Sequence, residues 1–452
     1  MTSDFIFFLT TGILGVLIFE FYRLYKLKML LHPGFYFALL WVFAVPSQWY
    51  LIKVDYAQLP FPEFVDELNL FVAFTGLVFL VVIRIGRSTI SDEIIVLRFS
   101  NSFRLYRIML YVTLLSTLLK FIILILTSGF SLNLAQNRDL LVSSNFQNRG
   151  LNILDFVFSY GSMFFPLLAI LAGYYLGLKM QKITSPVSSI YLISLPFFIS
   201  IVQVLLIGGR NPLASGIKYY VIGFALTLGL KLKNKYKRKI LFSLISLALV
   251  FNVFSTWVGN QRDVYLKEDV VINIDNPILN QFSGVMTYMS SHYWGYQLRR
   301  DDSFDAFDLG YGSNTFAGIF DFQIPFSGFI GVKTDLRSLF NVENKLDYFY
   351  LKEHHFAGYY TTNSIYLQAI CDFGEKGIYL FLLVLVLFSH YMFLKIHNWK
   401  FYKATDLYFF ILIFIFWSSS NFESVFSSKA IFVFFLVLLS HNFLNRNKLN
   451  LT

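Results

Sequence analysis

Long apolar runs separated by short polar stretches dominate the chain from end to end. A bilayer's hydrocarbon core takes about 20 apolar residues per helix. Eleven runs approach that length: 4–22, 34–52, 67–83, 107–128, 152–177, 187–208, 212–230, 240–258, 376–394, 405–418 and 425–442. The pattern predicts an all-α polytopic membrane protein of about eleven transmembrane helices, the last two being the shortest. One stretch breaks the rhythm. Residues 259–374 form a single long polar, aromatic and charged segment, which divides the chain into a membrane domain at 1–258, a large extracytoplasmic loop, and a second membrane domain at 375–452. Inside the loop, Ile278, Phe282, Val285, Met289 and Tyr293 recur at helical spacing, and so do Leu336, Leu339, Phe340, Leu346 and Phe349. Between them LGYGSNTFAGIFDFQIPFSGF is too rich in Gly and Pro for regular structure. The segment reads as amphipathic helices and turns lying on the outer membrane surface.

Charge sets the orientation. Asp4 precedes the first run, Arg23, Lys26 and Lys28 follow it, and no small-residue cleavage pattern is present, so the run is an anchor with its N-terminus outside. Alternate loops then hold 21 Lys and Arg, six of them in KLKNKYKRK at 231–239, whereas the outer loops at 53–66, 129–151 and 209–211 hold 1, 2 and 1. This is the positive-inside bias, and it puts the C-terminus inside. The net charge of +10 is therefore a sum of opposed parts: the 259–374 segment alone carries 8 basic and 14 acidic residues. The surplus marks topology and not a nucleic-acid-binding face.

Composition agrees. Hydrophobic residues make up 56% and charged residues 14%, against about 25% charged in soluble domains, and mean hydropathy is +0.60. One cysteine, Cys371, excludes an internal disulfide and any thiol metal site needing two ligands. The chain has no GxxxxGK[ST] loop, HExxH or GxSxG, and no cytoplasmic segment large enough for ATP or a nucleotide sugar.

Ionisable groups in or at the lip of a membrane are costly, which makes them candidates for function. Arg210, in GGRNP, lies at the outer end of the sixth run, and Arg262, in GNQRD, lies just past the outer end of the eighth. A guanidinium presents a planar fork of donors that fits phosphate oxygens. Two at the outer leaflet suit a lipid-linked pyrophosphate; the competing reading is that they snorkel to headgroups or pair with Asp263. Arg149, Arg299 and Arg300 are further outer-face arginines able to bind such a substrate. The polar stretch HHFAGYYTTNSIYLQAICDFGEKG, 354–377, holds His354 and His355, whose imidazoles could accept a proton from a sugar hydroxyl, and Tyr359 and Tyr360, which could stack on sugar rings. Each could equally be an ordinary interfacial residue. Asp301, Asp302, Asp305 and Asp308 fit no cation-loop spacing and read as a solvated turn. Lys120, Asp155 and Lys218 fall inside runs, either as buried pairs or as parts of a substrate path.

Three stretches resemble one family. GGRNPLASGIKYYVIG (208–223) is similar to its Gly-x-Arg turn opening a span, LGYGSNTFAGI (309–319) to a Gly-rich part of its large outer loop, and TNSIYLQAICDFGEKGIYL (362–380) to its Asn-x-x-x-Leu…Asp-Phe-Gly-x-x-Gly block. The family is that of the bacterial oligosaccharide repeat unit polymerases, the Wzy-type O-antigen and capsule polymerases, with the O-antigen ligases as more distant relatives. The resemblance implies an inverting, metal-independent glycosyl transfer without a cofactor, at the outer face of the inner membrane, from undecaprenyl-pyrophosphate-linked oligosaccharide. Arg210 and Arg262 match its outer-face arginines by position, and Asn363 and Asp372 fall in its third block. Chain-length regulators and flippases are the partners it implies. The ligases carry a His-Asn pair where this chain has Thr362-Asn363, which favours a polymerase and leaves His355 or His354 as the substitute base. An O-antigen ligase is the nearest alternative. A transporter or flippase is the alternative from another class, although no internal repeat is seen. A membrane-bound acyltransferase would rely on an intramembrane histidine such as His390, which sits near the inner end of its run.

Overall fold

The computed structural model describes residues 3–53, 65–86, 102–128, most of 164–228, and 365–398, with isolated positions elsewhere. Every regular element among them is helical. In chain order these are α1 (Ser3–Tyr25), α2 (Pro33–Lys53), α3 (Asp66–Ile85), α4 (Ser102–Ser128), α5 (Phe165–Met180), α6 (Ile190–Ile207), α7 (Asn211–Ala225) and α8 (Ile365–Asn398), with a 3-10 turn at Lys26–Leu31 after α1. Four stretches are long and apolar enough to cross a membrane: Ser3–Leu31, Pro33–Lys53, Asp66–Ile85 and Tyr366–Ile396. The runs at 240–258, 405–418 and 425–442 lie almost wholly outside the described residues. Contacts divide the chain into two compact units, 1–91 with 286–434 and 92–285 with 435–452.

The first unit is built on α1, α2, α3 and α8. Ser3 Oγ donates to Asp66 Oδ2 at 3.1 Å, and Asp4 accepts from Trp49 Nε1 at 3.1 Å and pairs with Lys53 at 3.3 Å. These contacts bring the start of α1, the end of α2 and the start of α3 together. At the opposite end, buried Glu20 accepts from Arg23 at 2.7 Å and from Arg84 at 3.0 Å. So α1 and α3 run in parallel and α2 runs against them. The far part of α8 also runs with α3, since Tyr379 packs on Phe71 and Phe74 while His390 lies against Gly86. Gly76 permits the α1–α3 approach, because a Cβ there would stand 2.9 Å from Ile13 Cγ2. Apolar side chains face outward: Phe5, Phe8, Val16 and Phe19 on α1, and Leu380, Val384 and Leu387 on α8, are exposed. Lipid tails are as apolar as these residues, so polar groups and small residues turn inward instead.

The second unit follows the same rule. On α4, Tyr106, Met109, Leu110, Thr113, Ser116 and Thr117 are buried while Ile108, Tyr111, Leu115 and Leu118 are exposed. α5 and α7 touch backbone to backbone, since Cβ atoms on Gly173 and Gly223 would collide with the carbonyls of Tyr220 and Ile170. Gln181 Nε2 at the end of α5 donates to Thr227 O at 2.8 Å. Pro196 lies inside α6. Its missing N–H leaves the carbonyl of Leu192 without a helical donor, and in lipid such a carbonyl needs another. Tyr106 Oη supplies it at 2.7 Å, and Tyr220 Oη donates to the neighbouring carbonyl of Ile193. Residues 208–210 alone join α6 to α7, which makes the two a tight helical hairpin.

Candidate functional site

The Asp-Phe-Gly-x-x-Gly block forms a break inside α8. Gly374 adopts φ 71°, ψ 177°, a conformation essentially confined to glycine. A Cβ on Gly377 would stand 2.9 Å from Phe373 Cβ, so the second glycine makes room for the chain folding back on itself. The rings of Phe373 and Phe381 then stack at 4.9 Å. Tyr366 and Tyr379, whose Cα atoms would lie about 20 Å apart on a straight helix, both pack on Phe71 of α3, at 6.0 and 5.3 Å between ring centroids. Residues before the break form a short arm, 365–373, and residues after it form the long apolar helix.

The arm is buried nearly all round. Tyr366, Leu367, Gln368, Ala369, Ile370 and Asp372 are all 0% exposed. Its two sides differ. Tyr366 faces α3 and α2, donating to Thr75 Oγ1 at 3.2 Å and meeting the ring of Trp41 at 5.6 Å. Helical spacing puts Gln368 and Asp372, one turn apart, together on the side turned away from Tyr366. Neither the Oε1 nor the Nε2 of Gln368 has a hydrogen-bond partner among the described residues. Such an amide costs about 1–3 kcal/mol while unmatched. The amide of Gln368 can both donate and accept.

Beside the arm, Asn69 of α3 is a node. Its Nδ2 donates to Val65 O at 2.9 Å, its Oδ1 accepts from Tyr293 Oη at 2.7 Å, and its carbonyl accepts from Thr10 Oγ1 at 3.3 Å. Tyr296 Oη donates to Glu67 Oε2 at 3.0 Å. Ser290, Tyr293 and Tyr296 are buried. Of the helical stripe expected in the long segment, only Tyr293 is among the described residues, and it is buried against α3. Gln48 on α2 is fully buried, and both polar atoms of its amide lack partners among the described residues.

His390 lies at the other end of the unit. Gly34 N–H donates to His32 Nδ1 at 3.1 Å, which leaves the proton of a neutral His32 on Nε2, 3.1 Å from His390 Nδ1. Phe393 and Phe21 pack on the His32 ring at 4.4 and 4.5 Å. His390 is thus a packed histidine hydrogen-bonded to a second one, with no acidic partner among the described residues. Among the described residues no three His, Cys, Asp or Glu side chains converge as a metal site would require.

Of the candidate catalytic and substrate-binding residues, Asp372 is the one within the described set; Lys120 and Lys218 lie in α4 and α7. Arg149, Arg210, Arg262, Arg299, Arg300, His354, His355, Tyr359, Tyr360 and Asn363 lie outside it, although Arg210 immediately precedes the first turn of α7. Gln48, Asn69 and Gln368 are not among the candidates that the sequence offers. Each was visible as a lone amide inside or beside an apolar run. No family model, no curated protein and no solved structure matches this chain.

Proposed function

We propose that this protein polymerises lipid-linked oligosaccharide repeat units at the outer face of a bacterial inner membrane, for O-antigen, capsule or exopolysaccharide. The observation that carries the reading is the 362–380 block: its two glycines bend α8, and Asp372, just before the bend, is buried. Side-chain charge at the two ends of the first unit supports the orientation. Arg23, Lys26, Lys28, Arg84 and Lys395 belong to the Glu20 end, whereas Asp4, Asp66, Glu67 and Glu375 gather at the other with Lys53 and Lys376. By the positive-inside rule the Glu20 end is cytoplasmic and the Asp66 end, with the break in α8, faces out.

The growing chain on undecaprenyl pyrophosphate is the donor. Its pyrophosphate rests against Arg210 and Arg262. The hydroxyl at the non-reducing end of a fresh lipid-linked unit attacks the anomeric carbon from the opposite side. The bond from that carbon to the pyrophosphate oxygen breaks, and the two guanidiniums stabilise the charge on the departing undecaprenyl pyrophosphate. His355, with His354 beside it, takes the hydroxyl proton. Arg149, Arg299, Arg300, Tyr359, Tyr360, Asn363 and Asp372 hold the sugars and carrier, and the 259–374 segment excludes water, whose attack is the competing reaction.

A deletion strain tests this. Loss of the polysaccharide ladder with single repeat units still reaching the surface is the expected result. Accumulated long polymer on the carrier lipid points instead to a ligase, and units trapped on the cytoplasmic side point to a flippase.

A further inference from the structure

We infer that His32 and His390 form a pH-sensitive latch that ties α8 to the start of α2, closed while both imidazoles are neutral and opened by an added proton. The inference is independent of the polymerase reading, because it rests on the hydrogen bonds of the two rings. His32 is 0% exposed and His390 5%. His32 stands immediately before α2, and its Nδ1 accepts from the N–H of Gly34, one of the amides that the first turn of a helix leaves without a partner. That nitrogen must therefore stay bare. The proton of the neutral ring is on Nε2, 3.1 Å from His390 Nδ1, so His390 Nδ1 is bare too and its own proton lies on Nε2. His390 Nε2 sits against Gly86 at the carboxyl end of α3, where the last carbonyls favour a donor.

Each acceptor nitrogen of the pair thus already faces an N–H. A proton added to His390 Nδ1 sets one N–H against the Nε2–H of His32. If His32 yields by moving its proton to Nδ1, that N–H meets the N–H of Gly34 instead. One hydrogen bond is lost in either case, and a positive ring at the start of α2 also opposes the helix dipole. The surroundings do not compensate. The other rings packed on His32 include Phe21 and Tyr25 of α1, Phe79 of α3 and Phe393 of α8, and tyrosine stays neutral at physiological pH. The charged side chains at this end, among the described residues, are Glu20 and Arg23 on α1, Lys26 and Lys28 in the turn, Arg84 on α3 and Lys395 on α8, while α2 carries none before Lys53. The one carboxylate among them, Glu20, is already held by Arg23 and Arg84.

The test uses the full-length protein purified in detergent at about pH 7.5 and about pH 5.5, on either side of the ordinary value for histidine. NMR of nitrogen-labelled histidine, assigned through His32→Asn and His390→Leu, should show both rings protonated on Nε2 alone at the higher pH; a proton on Nδ1 of either ring overturns the latch. Unfolding by a denaturing detergent reads the pH dependence. An unfolded histidine takes up its proton freely at the lower pH, so each proton the closed latch refuses lowers the native-to-unfolded ratio by about tenfold there. On acidification wild type should lose about tenfold to a hundredfold more of that ratio than His32→Asn/His390→Leu, in which asparagine keeps the cap on α2 and neither position titrates. Each protein is compared with itself across pH, so a less stable variant still serves, and equal losses overturn the latch. Should the double variant fail to fold, hydrogen exchange at Gly34 of wild type decides. Its amide should exchange faster at the lower pH, relative to the intrinsic rate, and unchanged protection overturns the latch.

Discussion

Replacing Gly374 with alanine tests the break in α8 through the backbone alone, because the side chain added is a single methyl. At φ 71°, ψ 177°, an L-residue is strained by about 1–3 kcal/mol. The variant has two ways to respond. It can keep the bend and carry the strain, lowering the equilibrium between native and unfolded forms by about five- to 150-fold. Or it can straighten, gaining about 1 kcal/mol of helix propensity but moving Tyr366 away from Thr75, Phe71 and Trp41. Melting of the purified protein in one detergent distinguishes either response from no effect. Cys371, the single cysteine of the chain and three residues from the bend, distinguishes the two responses from each other by its rate of maleimide labelling. Strain without straightening lowers the melting temperature and leaves labelling near the wild-type rate; straightening changes both. A variant that melts at or above wild type and labels at the wild-type rate would refute the assigned geometry of the break.

Gly377→Ala should destabilise the protein by about 1–3 kcal/mol through overpacking, because its methyl would stand 2.9 Å from Phe373 Cβ, while Gly12→Ala, with nothing within 4 Å, should be neutral or slightly stabilising in the same melting assay. Tyr106→Phe should cost about 1 kcal/mol by stranding the Leu192 carbonyl, and less in a Pro196→Ala background, where the restored N–H can serve that carbonyl. A double-mutant cycle with a coupling below about 0.3 kcal/mol would contradict this. Tyr293→Phe should cost about 0.5–1 kcal/mol by removing the hydrogen bond to Asn69, read from melting against Asn69→Ala and the double variant.

The helices themselves were legible in the apolar runs, because length and hydropathy are properties of composition. The runs at 4–22, 34–52 and 67–83 meet α1, α2 and α3 almost end to end. Gly208-Gly209 before Arg210 and Pro212 after it marked the turn that joins α6 to α7, since glycine and proline declare their backbone needs locally. The arm of α8 was not legible. Its helix begins at Ile365, eleven residues before the start of the apolar run at 376. Asp372, Gly374, Glu375 and Gly377 look like a solvated loop in the sequence, and tertiary contacts with α3 override that local preference. Facing was equally hidden. With Thr10 turned inward and Phe8 outward on α1, the pattern is that of a helix whose solvent is lipid, and ordinary amphipathic periodicity does not report it. Pairings such as Tyr293 with Asn69 join residues more than two hundred positions apart, beyond the reach of spacing rules.

The most direct measurement of the proposed activity is the polysaccharide ladder of a deletion strain complemented with either wild type or Arg210→Ala, at matched levels of membrane-inserted protein. Wild type should restore the full ladder, and Arg210→Ala should leave only single repeat units on the surface. A full-length ladder from Arg210→Ala would contradict the proposed role of that guanidinium at the pyrophosphate.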